Sequence, residues 1–258
     1  MNVMFYIFIF VFGLIFGSFC NVIIYRIPRR ESIVFPSSHC PDCGAKIKPY
    51  DNIPIISYII LHGRCRNCHK KISVRYPIIE LSVGIIFLIN FYYFGISVLF
   101  FKYLFFSISL FIISMIDSFN MVIPDIISIP SIFIGLIFNF FIYIYDLMMF
   151  VKVFVLGAII GMFIIAFIKV AGKIIWKKEV MGSGDILLMG IIGSFLGIYA
   201  IIPTLFWGSF LGAIIGGILM LAKKANRGSL IPFGPYLSVG SIIAIFTLPY
   251  IFKIFGLN

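Results

Sequence analysis

Apolar runs of about twenty residues recur along this chain, and each is long enough to cross a bilayer as a helix. Eight can be delimited: Val3–Tyr25, Pro77–Phe94, Val98–Ile116, Ile126–Tyr145, Val151–Ile168, Ile186–Ile202, Thr204–Leu221 and Ile231–Ile251. The sixth and seventh nearly fuse around Pro203, so seven or nine spans remain open. With 62% hydrophobic and 11% charged residues, there are too few charges to cover a water-soluble globule. The 31 phenylalanines exclude disorder. The expected fold is an all-α polytopic membrane protein of about eight transmembrane helices.

In such a chain a net charge of +11 records topology before it records any nucleic-acid partner. The segments Arg26–Arg75, Lys169–Lys178 and Lys223–Arg227 hold 17 of the 20 basic residues, which places them in the cytoplasm. Both termini then face outward. Residues 1–25 form the first transmembrane helix, 26–76 a cytoplasmic cysteine loop, and 77–258 the remaining membrane region. No Lys or Arg precedes the first apolar run, and the bulky Phe19 precedes Cys20, so a retained helix is expected rather than a cleaved signal. No soluble repeat is evident. Gly193-x3-Gly197 and Gly208-x3-Gly212-x3-Gly216 are helix-packing signals.

The loop carries Cys40-x2-Cys43 and Cys65-x2-Cys68, separated by 21 residues. Two such knuckles can set four thiolates around a structural zinc, whose binding would supply the folding energy of so short a loop. The alternative is four reduced thiols without metal. His39, His62 and His69 lie beside the pairs and can replace a ligand. Cys20, within an apolar span, reads as a buried small hydrophobe.

Three of the nine acidic residues stand at membrane edges. Asp117 ends the third span, where the helix dipole disfavours an anion and a capping role explains it poorly. Asp125 follows Pro124 and opens the fourth span, as an N-cap would. Asp185 opens the sixth after Gly182-Ser183-Gly184, glycines that permit close approach by another chain. Ionisable groups there are functional candidates. A pair such as Asp117 and Asp185, 68 positions apart, can share one proton and activate a water against a peptide bond. Within apolar surroundings Asn21 must bond a neighbouring helix or a substrate amine. Glu80 is expected to pair with Arg75 or Arg26, or to attract a cationic substrate. Gly17 and Ser18 are small enough to seat another helix.

Taken together, these features resemble the type IV prepilin peptidases, the bifunctional leader peptidase and N-methyltransferase family. The resemblance is carried by Gly17-Ser18-Phe19-Cys20-Asn21 through Arg26-Ile27-Pro28, by the double cysteine motif with Arg75-Tyr76-Pro77 and Glu80-Leu81, by Asp117 with Ile123-Pro124-Asp125, and by Gly182-Ser183-Gly184-Asp185. It implies an aspartyl endopeptidase of the bacterial inner membrane with Asp117 and Asp185 catalytic, and Gly182, Gly184 and Asp125 supporting them. It also implies prepilin or pseudopilin substrates cut after a leader glycine at the cytoplasmic face. S-adenosylmethionine would methylate the new amine through the N-terminal half, with Asn21, Arg26 and Glu80 as candidates for a substrate or methyl-donor site. No soluble methyltransferase fingerprint is present. An ion-coupled transporter, a zinc-stabilised scaffold and a peptidase without methylation are the competing readings.

Overall fold

The computed structural model describes residues 3–177, 181–222 and 231–255. Glu179 and the basic segment 223–227 lie outside the described residues. Among the described residues, ten helices occur in the order α1 (Val3–Arg26), α2 (Ile56–Ile60), α3 (Arg75–Phe94), α4 (Val98–Asn120), α5 (Asp125–Ile142), α6 (Leu147–Phe150), α7 (Leu156–Trp176), α8 (Gly184–Leu196), α9 (Ile201–Leu221) and α10 (Gly234–Phe255). A wide turn, Val151–Val155, joins α6 to α7. Only isolated bridges, and no strands, occur among the described residues. Among the described residues, six helical stretches are long and apolar enough to cross a membrane, and Gly184–Leu196 and Gly234–Thr247 are shorter apolar helices. This is the all-helical, multi-pass membrane protein that the apolar runs predict. The chain divides into two compact units, Met1–Ile108 and Ser109–Asn258.

In the first unit, α1 packs along α3. Its buried residues are Gly13, Gly17, Cys20, Asn21, Ile24 and Arg26. Gly13, Gly17, Cys20 and Ile24 fall three or four apart and form one narrow stripe, which Asn21 flanks. A Cβ on Gly13 would come 2.8 Å from Gly84 Cα, and one on Gly17 would come 2.7 Å from Glu80 Cα. Backbone-to-backbone packing of this kind is what small residues provide in lipid, where the hydrophobic effect does not draw helices together.

In the second unit α8 is the most enclosed helix: Leu188 through Phe195 are all buried. It packs against α5 and α7. Gly193 lies against the Gly157 carbonyl and the Ala158 amide of α7, with no room for a side chain. From α5, Asn139 Nδ2 donates to the carbonyls of Ser194 at 2.7 Å and Phe195 at 3.4 Å, covering groups that a helix C-terminus leaves unpaired. The α9–α10 joint is built likewise, with a Cβ on Gly240 falling 2.7 Å from the Gly208 amide and the Thr204 carbonyl.

The expected sixth span is shorter than its apolar run. Helix α8 stops at Leu196 because Gly197 adopts φ +84°, a conformation that suits glycine. A short turn, Ile198–Ala200, leads instead into α9, which takes up Ile201 and Ile202, and Pro203 sits in the first turn of α9, where no helical hydrogen bond is lost. At about 1.5 Å per residue, the 13 residues of α8 rise only about 20 Å.

Gly193→Val should lower the midpoint of thermal unfolding in detergent, by overpacking worth on the order of 1–3 kcal/mol or more. Gly217, with open space where a Cβ would go, provides the control. Gly217→Ala should leave the midpoint unchanged or raise it, by at most about 1 kcal/mol.

Candidate active site and metal centre

The second unit brings Asp117 and Asp185 together. Asp117 lies in the last turn of α4 and Asp185 in the first turn of α8; they are 6% and 5% exposed. Their carboxyl groups stand within coulombic range of each other, and the charge of Lys169 on α7 reaches Asp185 as well. The α4–α5 connection explains the approach. Met121 turns with φ +53° and donates its N–H to the Asp117 carbonyl at 2.8 Å. The chain then extends through Ile123 and Pro124 into α5. Ile123 is buried, and its side chain occupies the space a Cβ on Gly184 would need. Glycine at 184 is thus what lets this connection press against the start of α8. Gly182 has a different role. A Cβ there would make only ordinary contact, 3.4 Å from Asp185 Oδ2, and it is the backbone of Gly182 that hydrogen-bonds the Asp185 carboxylate.

A third element completes the site. Gly234, the first residue of α10, donates its N–H to Asp117 Oδ2 at 2.9 Å. A Cβ there would fall 2.7 Å from that oxygen and 3.3 Å from Ile123. The sequence reading missed Gly234. Its only local signal is Phe233-Gly234-Pro235 before an apolar run, a helix start with proline near its first position. Asp185 Oδ1 is buried and has no hydrogen-bond partner among the described residues. Asp125 does not join the pair. It is exposed in the first turn of α5, and the N-cap position belongs to Pro124, with no side-chain capping bond. Its carboxylate is favourably placed for the helix dipole but caps nothing.

In the first unit the four cysteines converge. The Sγ atoms of Cys40, Cys43, Cys65 and Cys68 all lie within 4.8 Å of one another, and Cys40 Sγ is 3.9 Å from Cys68 Sγ. A tetrahedral centre with metal–sulfur bonds of about 2.3 Å has sulfurs about 3.8 Å apart, so the donor set fits a metal ion. His39, His62 and His69 are not part of the cluster. The knuckles also share one local structure, a likeness not evident in the sequence. Cys40 N–H bonds the Ala45 carbonyl and Cys65 N–H bonds the Lys70 carbonyl, each at 2.9 Å. The residue after each second cysteine, Gly44 or His69, has positive φ. The Ala45 N–H, followed by the Asn67 side chain, draws the Cys43 thiol down to about 6, and the N–H groups of Cys68 and Asn67 lower Cys65. Cys68 rises to about 11 against the pull of the Lys70 N–H, through desolvation and the neighbouring sulfurs. Lys70 reaches Asp42 of the other knuckle at 2.7 Å, and Arg66 holds Asp51 at 2.6 Å.

The remaining candidates line the α1–α3 seam. Asn21 Nδ2 donates to the Tyr76 carbonyl at 3.2 Å, so it bonds the neighbouring helix. Glu80 accepts the Ile55 N–H at 2.8 Å and a hydrogen bond from Ser18. Arg26 does not pair with it; its guanidinium donates to the carbonyls of Ser32 and Pro36 at 2.9 and 2.7 Å. Loop closure took precedence over the expected ion pair. Arg26 also borders a cavity of about 500 Å³ beside α1.

Fold and site together define a polytopic membrane protein with a buried aspartate pair at helix ends in one unit and a four-thiol centre in the other. Residues 11–94 match the bacterial peptidase A24 N-terminal domain, and residues 104–217 match the type IV leader peptidase family. The chain belongs to the type IV leader peptidase family and carries its bacterial N-terminal domain. It is 32% identical to the prepilin leader peptidase/N-methyltransferase of Pseudomonas putida, over 91% of this chain and 88% of that protein. The Pseudomonas aeruginosa protein of the same name is 33% identical over 90% and 87%, and that of Neisseria gonorrhoeae 34% over 92% and 88%. No solved structure matches the chain.

Elemental analysis of the purified protein should find about one tightly held metal ion per chain. Cys43→Ser should lose most of it and expose the loop at residues 26–76 to limited proteolysis. Retention of the metal by that variant would exclude the four-thiol centre.

Proposed function

We propose that this chain removes the short basic leader of type IV prepilins or pseudopilins after its terminal glycine, at the cytoplasmic face of the bacterial inner membrane, and then methylates the new N-terminal amine. The observation that carries this reading is the burial of Asp117 and Asp185 within coulombic range of each other, in a chain of the leader peptidase family. The names of the relatives support the substrate class. The basic segments Arg26–Arg75 and Lys169–Lys178 support the cytoplasmic face.

The geometry suits hydrolysis by an acid pair. Asp185 Oδ1, which no group among the described residues engages, takes a proton from the attacking water. Asp117 is held through Oδ2 by the Gly234 N–H, which leaves its other oxygen to carry a proton. That proton passes to the scissile carbonyl oxygen as the water oxygen bonds the carbonyl carbon. Collapse of the tetrahedral species returns a proton from the new hydroxyl to Asp117, and Asp185 delivers its own to the departing amine. The pair ends as it began, and no covalent enzyme intermediate forms.

In the N-terminal unit the thiol cluster would hold zinc, closed by four ligands and therefore structural. S-adenosylmethionine, when bound, would supply an electrophilic methyl group. Asn21 and Glu80 order the α1–α3 seam and the loop at Ile55 on which the methyl-transfer half depends.

Asp117→Asn and Asp185→Asn should each abolish leader removal from a synthetic prepilin in membranes while protein levels hold. Cleavage by either variant at wild-type rate would exclude the mechanism. Gly184→Ala and Gly234→Ala should each lose about tenfold or more in kcat/KM, the equivalent of about 1.4 kcal/mol in the barrier. Gly182→Ala should lose much less, since its N–H is retained and its Cβ has room.

A further inference from the structure

The α4–α5 connection leaves open backbone beside the aspartate pair. After Met121 the chain runs non-helical until α5 begins at Asp125. Both ends of this stretch are engaged. The Met121 N–H donates to the Asp117 carbonyl, and the Pro124 carbonyl accepts from the N–H groups of Ile127 and Ser128 and from the Ser128 hydroxyl. Between them, the N–H and C=O groups of Val122 and Ile123 make no hydrogen bond among the described residues. Such groups are obligatory hydrogen-bonding partners, and non-helical backbone in a membrane protein is tolerated where it lines a wet cavity or meets protein.

These two residues lie at the site itself. Val122 is exposed and Ile123 buried, on opposite faces as successive residues of a strand are. The Ile123 side chain fills the space at Gly184, next to Asp185. Its Cδ1 also lies 3.3 Å from where a Cβ on Gly234 would stand, and the Gly234 N–H holds Asp117. Ile123 is thus wedged among the elements that carry and hold both carboxyl groups, and the unpaired backbone at 122–123 is a strand edge beside them. A helical peptide hides its amides within its own hydrogen bonds. To be cut it must be drawn out, and its freed N–H and C=O groups then need partners. An open strand edge supplies them by β-augmentation.

We infer that Val122–Ile123 is a docking strand for the substrate: the residues flanking the scissile bond pair with its backbone as an added strand, which sets the scissile carbonyl against Asp117 and Asp185. This rests on the peptidase reading and specifies how that site holds its peptide. Because the pairing is made through backbone groups, it fixes register and accepts differing side chains around the cut.

The test alters the backbone alone. Replacing Val122 or Ile123 in the full-length protein by its α-hydroxy analogue turns an amide into an ester, which deletes one N–H, weakens the preceding carbonyl and keeps every side chain. With a synthetic prepilin, at least one ester should lose about tenfold or more in kcat/KM. N-methylation of the substrate at residues flanking the scissile bond should reveal a position with a similar loss. Combining that substrate with that ester should cost no more than the larger single loss, since both changes break one pairing. Losses that multiply, or two esters that cleave at the wild-type rate, leave these groups to water and overturn the inference. A second readout is independent of rate. With p-benzoylphenylalanine in place of Val122 and Asp185→Asn to halt turnover, illumination should cross-link the substrate beside the scissile bond. Cross-links only at the far ends of the substrate, or none, overturn the inference as well. Failure of the peptidase reading looks different: wild type leaves the prepilin uncut, or the aspartate variants cut it normally, and the inference falls with it. Cleavage that the aspartate variants lose and both esters keep overturns the inference alone.

Discussion

The contact between Ile123 and the bare backbone of Gly184 governs the second unit. Two carboxyl groups repel when both are charged, and each loses hydration on burial, so they do not approach unless packing elsewhere compels them. Here the compulsion is steric and apolar. Ile123 fills the space where a Cβ would be, and this seats the end of α4 against the start of α8. Backbone amides then supply what water would have supplied: Gly234 to Asp117, and Gly182 to Asp185. Glycine thus serves the site in three ways, as a space at 184, as a donor that tolerates close approach at 234, and as a donor alone at 182.

The first unit solves a related problem with different means. Its loop buries little of its apolar material, with Val34, Phe35, Ile59 and Ile60 all exposed, so it is held by thiols and by side chains that close the backbone on itself. Arg26 closes residues 32–36, Glu80 holds Ile55, and Ser57 Oγ accepts the Ile53 N–H and donates to the Tyr50 carbonyl. These bonds tie the loop to α1 and α3, whose glycine seam brings their backbones together. The exposed Lys70–Asp42 pair between the knuckles contributes about 0–1 kcal/mol, so it orients the loop more than it stabilises it.

Much of this was legible in the chain. Helix number and order followed from apolar length, because in lipid length and backbone satisfaction leave few options. The cysteine cluster followed from spacing, and Asp117 stood out because it sits where a helix dipole gives it no support. What escaped the sequence depended on tertiary approach. Gly234 resembles any residue ahead of a helix until Asp117 is seen beside it. Asp125 has the composition of a cap, but Pro124 takes that position. Glu80 has basic residues close in sequence, yet its partners are Ser18 and a backbone amide 25 residues away, which no charge pattern reveals. The end of α8 at Gly197 is hidden within an unbroken apolar run, since hydropathy does not register a positive φ.

The two aspartates are also unequal in a way that bears on their roles. Asp185 occupies the first turn of a helix, where unpaired amides favour the ionised partner of a pair. Asp117 stands in the last turn of α4, beside unpaired carbonyls that favour the partner holding the proton. The shortness of α8 sharpens this contrast. A helix of 13 residues has both ends within reach of the apolar core, and each end must be satisfied by protein. At the C-terminal end Asn139 donates to the loose carbonyls. At the N-terminal end the Gly182 backbone hydrogen-bonds the Asp185 carboxylate, and Oδ1 has no hydrogen-bond partner among the described residues. Ser114 Oγ and Thr204 Oγ1 are also buried without a partner among the described residues, but Asp185 Oδ1 is the carboxylate oxygen among them, and under the proposed mechanism it is the acceptor to which a hydrolytic water would be drawn.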